Sequence, residues 1–343
     1  MALRRGSSTS AARTSGSPSR SDLLRAAAVV AAILAGGACA RAAPPAASPP
    51  GETPYVLVLG TAQDGGLPHA ACTCDHCDAA RRSPDRRRAV ASLAVVVPAT
   101  GRRYLVDAGP DLREQLDRLP LVGAHRAGGV DRAPVDGVVL THAHVGHYLG
   151  LAFFGFEAVH TSRLPVHATP RMAAYLRSNG PWSRLVSREE IDLRERTPGE
   201  TFELDAGVLV TLFPVPHRDE DSDTVGLRIQ GPARTIVYVP DTDGWGAWVP
   251  PLREVLSTCD VALLDGTFYA ADELPGRDPS KIGHPMIPAT MDLLQGDVRG
   301  GRLTVLFTHL NHSNRALDAD GAALREIRRR GFGVAADGQR IPL

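Results

Sequence analysis

Lysine is almost missing. Lys281 is the one lysine, and arginine supplies the rest of the positive charge. A guanidinium-rich chain suits recognition of phosphate or carboxylate, although genome composition accounts for the same bias. Neither sign of charge is in excess, with 38 Lys+Arg against 38 Asp+Glu. That balance removes the general attraction on which a nucleic-acid or acidic-membrane binder relies. Cysteine is scarce as well, and five in 343 residues cannot form the framework of a small disulfide scaffold. No later apolar run reaches the ~18 residues that would span a bilayer, so a soluble domain is expected. Hydrophobic residues at 43% and charged residues at 22% exclude disorder throughout. What the chain does have is histidine, 12 in all, and their placement carries most of the functional information.

The start of the chain reads as a targeting segment. Arg4, Arg5, Arg13, Arg20 and Arg25 precede the apolar run Ala26–Ala35, and small residues Gly36, Gly37 and Ala38 follow. A charged start, a short apolar core and a small-residue exit make a secretory signal over residues 1–39. The apolar core is too short to cross a bilayer. Cys39 stands where a lipoprotein signal places its lipidated cysteine; cleavage at Ala38–Ala40 or Ala40–Ala42 is the competing reading. Residues 40–53, rich in Ala and Pro, read as a tether. The expectation is an exported protein, periplasmic or lipid-anchored to the envelope, with that anchor as its sole membrane contact. Residues 54–343, roughly 290 in number, suffice for one domain with a sizeable core.

From Tyr55 onward, short apolar runs alternate with helical patterns. Strands are expected at Tyr55–Gly60, Ser92–Val97, Arg103–Asp107, Gly137–Leu140, Val208–Phe213, Gly226–Ile229, Thr235–Val239, Val261–Leu264, Leu303–Phe307 and Phe332–Ala335. Helices are expected at Pro110–Arg118, Pro170–Ser178, Val249–Leu256, Pro288–Leu294 and Ala322–Arg330. Gly331 stands where a C-cap glycine would end the last helix, and Asp337-Gly338 reads as a tight turn after the final strand. Interspersed strands and helices make an α/β layer structure. His142, His217, Asp241 and His309 each fall just past the end of a different expected strand. In α/β sheets that edge is where ligand sites assemble.

Thr141-His142-Ala143-His144-Val145-Gly146-His147 concentrates histidine as packing alone would not. Neutral imidazoles converging on one ion, by contrast, make a zinc site with bonds of about 2.0–2.1 Å. With the later His217, Asp241 and His309, this motif resembles the metallo-β-lactamase superfamily over nearly all of Tyr55–Leu343. The resemblance implies an αββα sandwich with metal at one edge. It implies His142, His144 and His217 on a first metal, His147 and His309 on a second, and Asp241 bridging them. Asp107, in YLVDAGPD, is then expected to support the site without binding metal. One position departs from the pattern. The superfamily motif is H-x-H-x-D-H, and its aspartate, a ligand to the second metal, is Gly146 here. The second site loses a carboxylate unless another segment supplies one. Asp64, in LGTAQDGGLPH, is the candidate substitute, against an ordinary turn role in Asp-Gly-Gly.

Cys72-Thr73-Cys74-Asp75-His76-Cys77 has C-x-C-x-x-C spacing, which suits a closed tetrahedral zinc site. A disulfide among these residues is the rival in an oxidising compartment. His76 between two ligands would strain the loop. Two branches of the superfamily share this cysteine arrangement, a cyclic phosphodiesterase branch and a pyrroloquinoline quinone biosynthesis branch, and the resemblance implies His312 as fourth ligand. Cys259 is expected to be a buried small apolar residue.

His284, in IGHPMIP, is a candidate general acid, with Asp265, in LLDGTF, as its orienting partner. Arg218, next to His217, is a candidate for holding an anionic group, with a salt-bridged or solvated role as the alternative. The expected function is a metal-dependent hydrolase in which an activated hydroxide attacks an ester, a phosphodiester first, with Asp241 orienting the nucleophile. Its cofactors would be one or two active-site zinc ions and one structural zinc. The alternatives are a redox or accessory protein of the quinone-biosynthesis type with mononuclear iron or copper, and a non-catalytic metal-binding protein. The expected partner is a small, anionic molecule and not nucleic acid.

Overall fold

A computed structural model describes residues 53–120, 129–274, 276 and 283–343. The expected signal, the tether up to residue 52, Cys39, His125 and Lys281 lie outside the described residues.

The central strands form where the residues on both faces are apolar. One sheet contains β1 (Tyr55–Gly60), β2 (Ser92–Val97), β3 (Arg102–Val106), β4 (Gly137–Val139), β5 (Leu164–Ala168), β6 (Ile191–Glu195) and β14 (Arg340–Pro342), in the order β14-β1-β2-β3-β4-β5-β6. The other contains β7 (Thr201–Asp205), β8 (Val208–Pro214), β9 (Val225–Gln230), β10 (Thr235–Val239), β11 (Val261–Asp265), β12 (Thr304–Thr308) and β13 (Gly333–Val334), in the order β13-β12-β11-β10-β9-β8-β7. Val56, Val58, Leu93 and Val95 of the first sheet share one buried core with Leu227, Ile236, Tyr238 and Leu263 of the second. Because side chains alternate along a strand, their neighbours face outward. Leu57, Leu59 and Leu105 pack with Leu112 of α2 (Leu112–Arg118), Leu176 of α4 (Pro170–Ser178) and Leu185 of α5 (Trp182–Ser187). Val237, Ala262 and Val305 pack with Leu252 of α6 (Leu252–Val255), Met291 of α7 (Ile287–Arg299) and Ile327 of α8 (Ala322–Arg329). The result is the expected αββα sandwich. Two further helices, α1 (Asp75–Arg82) and α3 (Val145–Tyr148), sit by the functional loops.

Several boundaries differ from expectation. Strands β5, β6, β7 and β14, and helices α1, α3 and α5, had no sequence counterpart. Phe332–Ala335 is not the last strand: it shrinks to β13, and the Asp337-Gly338 turn leads into β14, which pairs antiparallel with β1. Val249–Leu256 contracts to α6 with Pro251 at the N-cap; Pro250 and Pro251 each disfavour helical backbone in the residue before them, which keeps Val249 and Pro250 outside the helix. Pro288–Leu294 lengthens to α7, with Pro288 in the first turn, where its missing N–H costs nothing.

Strands β3 to β6 run parallel, as do β10 to β13, so each set ends along a single edge. A parallel bridge between Ala62 and Leu310 joins the loops after β1 and β12 at that edge. Among the described residues no helix is long and apolar enough to cross a membrane.

Candidate metal centre

The three-histidine motif occupies the turn from β4 into α3. His142 and His144 are two residues apart in this turn, with His144 extended at the N-cap of α3. His147 N donates to the His144 carbonyl at 2.9 Å, and that single turn of helix carries the His147 ring back to the same edge. His217 follows β8 and Asp241 follows β10. The structure brings His142, His144, His217 and Asp241 together. His142 Nε2 is 2.9 Å and His217 Nε2 3.1 Å from His144 Nδ1. Asp241 Oδ2 is 3.1, 3.5 and 3.8 Å from the facing nitrogens of His217, His142 and His144. Two ligands on one tetrahedral zinc stand about 3.3 Å apart at normal bond lengths. These separations therefore match the edges of a tetrahedron around one ion.

A second group adjoins the first. Asp64 Oδ1 lies 3.7 Å from His147 Nε2 and 3.8 Å from His309 Nε2, and His309 Nε2 is 3.8 Å from Asp241 Oδ2. All three atoms of the Asp64–His147–His309 group are buried without a hydrogen-bond partner. Buried polar atoms are rarely left unpaired, and a common cation would satisfy all of them together. On this donor chemistry the residues fit a pair of metal ions, with Asp241 reaching both.

The outward nitrogen of each ring is held. His142 Nδ1 meets Thr141 Oγ1 at 3.0 Å, His147 Nδ1 meets Asp107 Oδ2 at 2.7 Å, His309 Nδ1 meets Thr267 Oγ1 at 2.9 Å, and His217 Nδ1 meets Asp243 Oδ1 at 2.7 Å. His144 is reversed: its Nε2 faces Glu220 at 3.4 Å, which turns Nδ1 inward. Such outer partners fix ring orientation and tautomer in metal sites. Asp107 thus touches a ring and not the ion position, and it sits at φ 63, as His309 sits at φ 60. Left-handed conformations in non-glycine residues cost energy and gather at functional sites. Burial pushes the Asp241 carboxyl up, but the His309, His142, His144 and His217 rings outweigh it and hold the pKa well below the usual range. Burial, with the His147 charge, holds His142 neutral, the form that binds metal. Thr141, Thr267 and Glu220 were missed in the sequence. Thr141 adjoins the motif and Thr267 follows Asp265, but nothing in their identity signals the contact.

His284 and Asp265 also converge here. His284 Nδ1 lies 2.9 Å from Asp265 Oδ2 and 3.3 Å from Asp241 Oδ1. Asp265 is fully buried and accepts from Thr242 N at 3.0 Å, Thr267 N at 2.9 Å and Thr267 Oγ1 at 2.8 Å. Arg218 is exposed and pairs with Glu220 at 3.1 Å, the salt-bridged alternative.

At the cysteine cluster, Cys72, Cys74 and His312 present ligand atoms within 4.8 Å of one another. Cys77, buried on α1, adjoins them, and its thiol interacts with both other thiols. His312 Nδ1 is buried and unpartnered. His76 turns its Nδ1 to the His312 carbonyl at 3.0 Å. Cys72, Cys74, Cys77 and Cys259 are all free thiols, so the disulfide alternative is not what the structure holds. Cys259 is buried in the outer core of the second sheet.

Comparison with known proteins agrees with this architecture. Coenzyme PQQ synthesis protein B of Methylobacterium nodulans is 31% identical over 321 residues, covering 84% of this chain and 99% of that protein. The same protein of Methylobacterium sp. strain 4-46 is 29% identical over 315 residues. The zinc-bound crystal structure of PqqB from Methylobacterium extorquens superposes with a TM-score of 0.70 at 26% identity, over 84% of this chain and 100% of that one. A diphosphatase of the PhnP family shares the fold, with a TM-score of 0.59 at 21% identity over 85% and 98% of the two chains. The Beta-lactamase superfamily domain profile matches residues 102–310, and this chain belongs to that family.

Proposed function

We propose that this protein is a metal-dependent hydrolase of an anionic ester, with phosphodiesters the first class to test. The observation that carries this reading is the His284–Asp265 pair beside Asp241, the carboxylate that reaches both imidazole groups. A storage or sensor site has no use for a proton donor at that point. Metal bound at this edge would acidify water, polarise the ester and offset the charge that develops on it. His142, His144 and His217 with Asp241 would hold the first ion, and His147 and His309 with Asp241 the second. His284 supplies the proton. Burial works against its charge, but Asp265, by charge and hydrogen bond, with Asp241 and Asp243 behind it, raises the pKa to about 9. With Nδ1 on Asp265, Nε2 is the nitrogen left to protonate a leaving oxygen.

The test is turnover of bis-aryl and cyclic phosphodiesters by the purified zinc-loaded protein. His284→Ala should lower kcat by about 100-fold or more with metal content unchanged. Full activity in that variant would remove His284 from the mechanism. A second reading is favoured by the likeness to PQQ synthesis proteins B over 84% of the chain: a redox or accessory role in making a quinone cofactor, with iron or copper in place of zinc. Iron or copper retained on purification, without ester hydrolysis, supports that reading. Zinc with phosphodiester turnover supports the first. Either activity would operate outside the cytoplasm if the signal and Cys39 act as read, which fractionation and mass analysis of the mature N-terminus would test.

A further inference from the structure

We infer that Asp64 supplies the terminal carboxylate of the second metal position, and that residue 146 is glycine because Asp64 occupies the space a side chain there would need. The inference rests on the proposed function for the presence of a second ion, and it adds which residue completes its ligand set. Asp64 Oδ1 is buried and accepts no N–H from its own Asp-Gly-Gly turn, so the turn does not account for that oxygen. It faces His147 Nε2 at 3.7 Å and His309 Nε2 at 3.8 Å. Those distances are too long for hydrogen bonds and suit groups that share an ion bound at about 2.0–2.2 Å. Both rings are already committed through Nδ1, to Asp107 and Thr267, so Nε2 is what each has left to offer.

Gly146 gives the independent observation. A Cβ built there overlaps Asp64 Oδ1 and comes within 2.9 Å of Asp64 Cα and Cγ. Contacts that short are not tolerated, so no side chain at 146 coexists with Asp64 where it stands. Nor is the Asp64 loop free to retreat. Leu310 N donates to the Thr61 carbonyl at 2.8 Å, Gln63 N to the Leu310 carbonyl at 2.9 Å, and Gly66 N to the Gln63 carbonyl at 2.7 Å. The loop is thereby sewn to the segment that carries His309. Aspartate at 64 with glycine at 146 gives an ion the same ligand charge as the reverse pairing, delivered from a different strand end.

The experiment is zinc content of the purified full chain after loading and dialysis, with thermal melts alongside. The unchanged chain should retain about three zinc ions, two at the sheet edge and one at the cysteines. Asp64→Asn, close in shape but uncharged, and Asp64→Gly should each retain about one fewer. Gly146→Asp alone should also lose one, because the two side chains collide. The double change Asp64→Gly with Gly146→Asp should regain it, which damage to the loop could not produce. Unchanged zinc in Asp64→Asn and Asp64→Gly, or a double variant no better than Asp64→Gly, would overturn the inference. Zinc contents that follow the expected order with no phosphodiester turnover would uphold the ligand assignment and count against the hydrolase reading alone.

Discussion

His167, on β5, shows how a buried histidine can have nothing to do with metal. It is 8% exposed, stacks on Phe202 with centroids 4.7 Å apart, and accepts from Arg196 Nε at 3.1 Å through Nδ1. Burial, with Arg196 and Arg194 beside it, lowers its pKa to about 4. In the unfolded chain the ring takes up its proton near pH 6.5. Between those values the unfolded state binds more protons, so stability is full above about pH 6.5 and falls as pH drops toward about 4, by roughly 3 kcal/mol at most. Urea midpoints at pH 7.5 and 4.5 should therefore differ less in His167→Gln than in the unchanged protein. Equal differences would clear His167 of any part in acid sensitivity. The partners that set this behaviour come from segments far along the chain, so they were not legible in sequence. The same holds for Thr267 and Glu220, which hold the outer nitrogens of His309 and His144; Thr141 lies beside His142, but its residue type does not signal the contact. The positions of His142, His217, Asp241 and His309 were legible because strand ends are. Asp64 and Gly146 were legible as a motif with one member out of place.

Among the elements, the strands read correctly are the ones covered on both faces. β1, β2 and β10 are apolar almost throughout, and their boundaries agree with the sequence reading. β6, β7 and β14 are sheet edges. Ile191–Glu195 and Thr201–Asp205 alternate apolar with charged or polar residues, Arg340–Pro342 buries only Ile341, and β5 contains Pro165. Edge strands keep one side polar, which hides β6, β7 and β14 from a search for apolar runs; β5 is an interior strand, paired with β4 and β6, whose run is interrupted by Pro165 and His167. The end of α8 was readable from one residue. Gly331 follows the C-cap at φ 88, a left-handed conformation that a side chain disfavours. Gly331→Ala should cost about 1 kcal/mol in chemical denaturation. No change would mean that the helix end relaxes freely.

For the molecule as a whole, metal and fold should be linked. Ions that bind the native state alone stabilise it by about 2.7 kcal/mol at a hundredfold excess over Kd. Chelation should thus lower Tm by roughly 4–5 °C per ion lost for a domain of this size, and added zinc should restore it. A Tm indifferent to chelator would mean that neither cluster holds metal in solution. The cysteine and histidine sites can be told apart by repeating the melt with Cys72→Ser.

The bridge between Ala62 and Leu310, and the inter-sheet core beneath it, have one further consequence. His142, His144 and His147 hang from one sheet, and His217, Asp241 and His309 from the other. The gap between the sheets is therefore also a coordination dimension, set by how thick Val58, Leu93, Leu227 and Tyr238 are when packed. A core substitution that thins or swells that layer would move the ligands apart without touching any of them. For an ion bound there, the interior would act as a ruler, and residues that never touch it would help decide which metal the edge prefers.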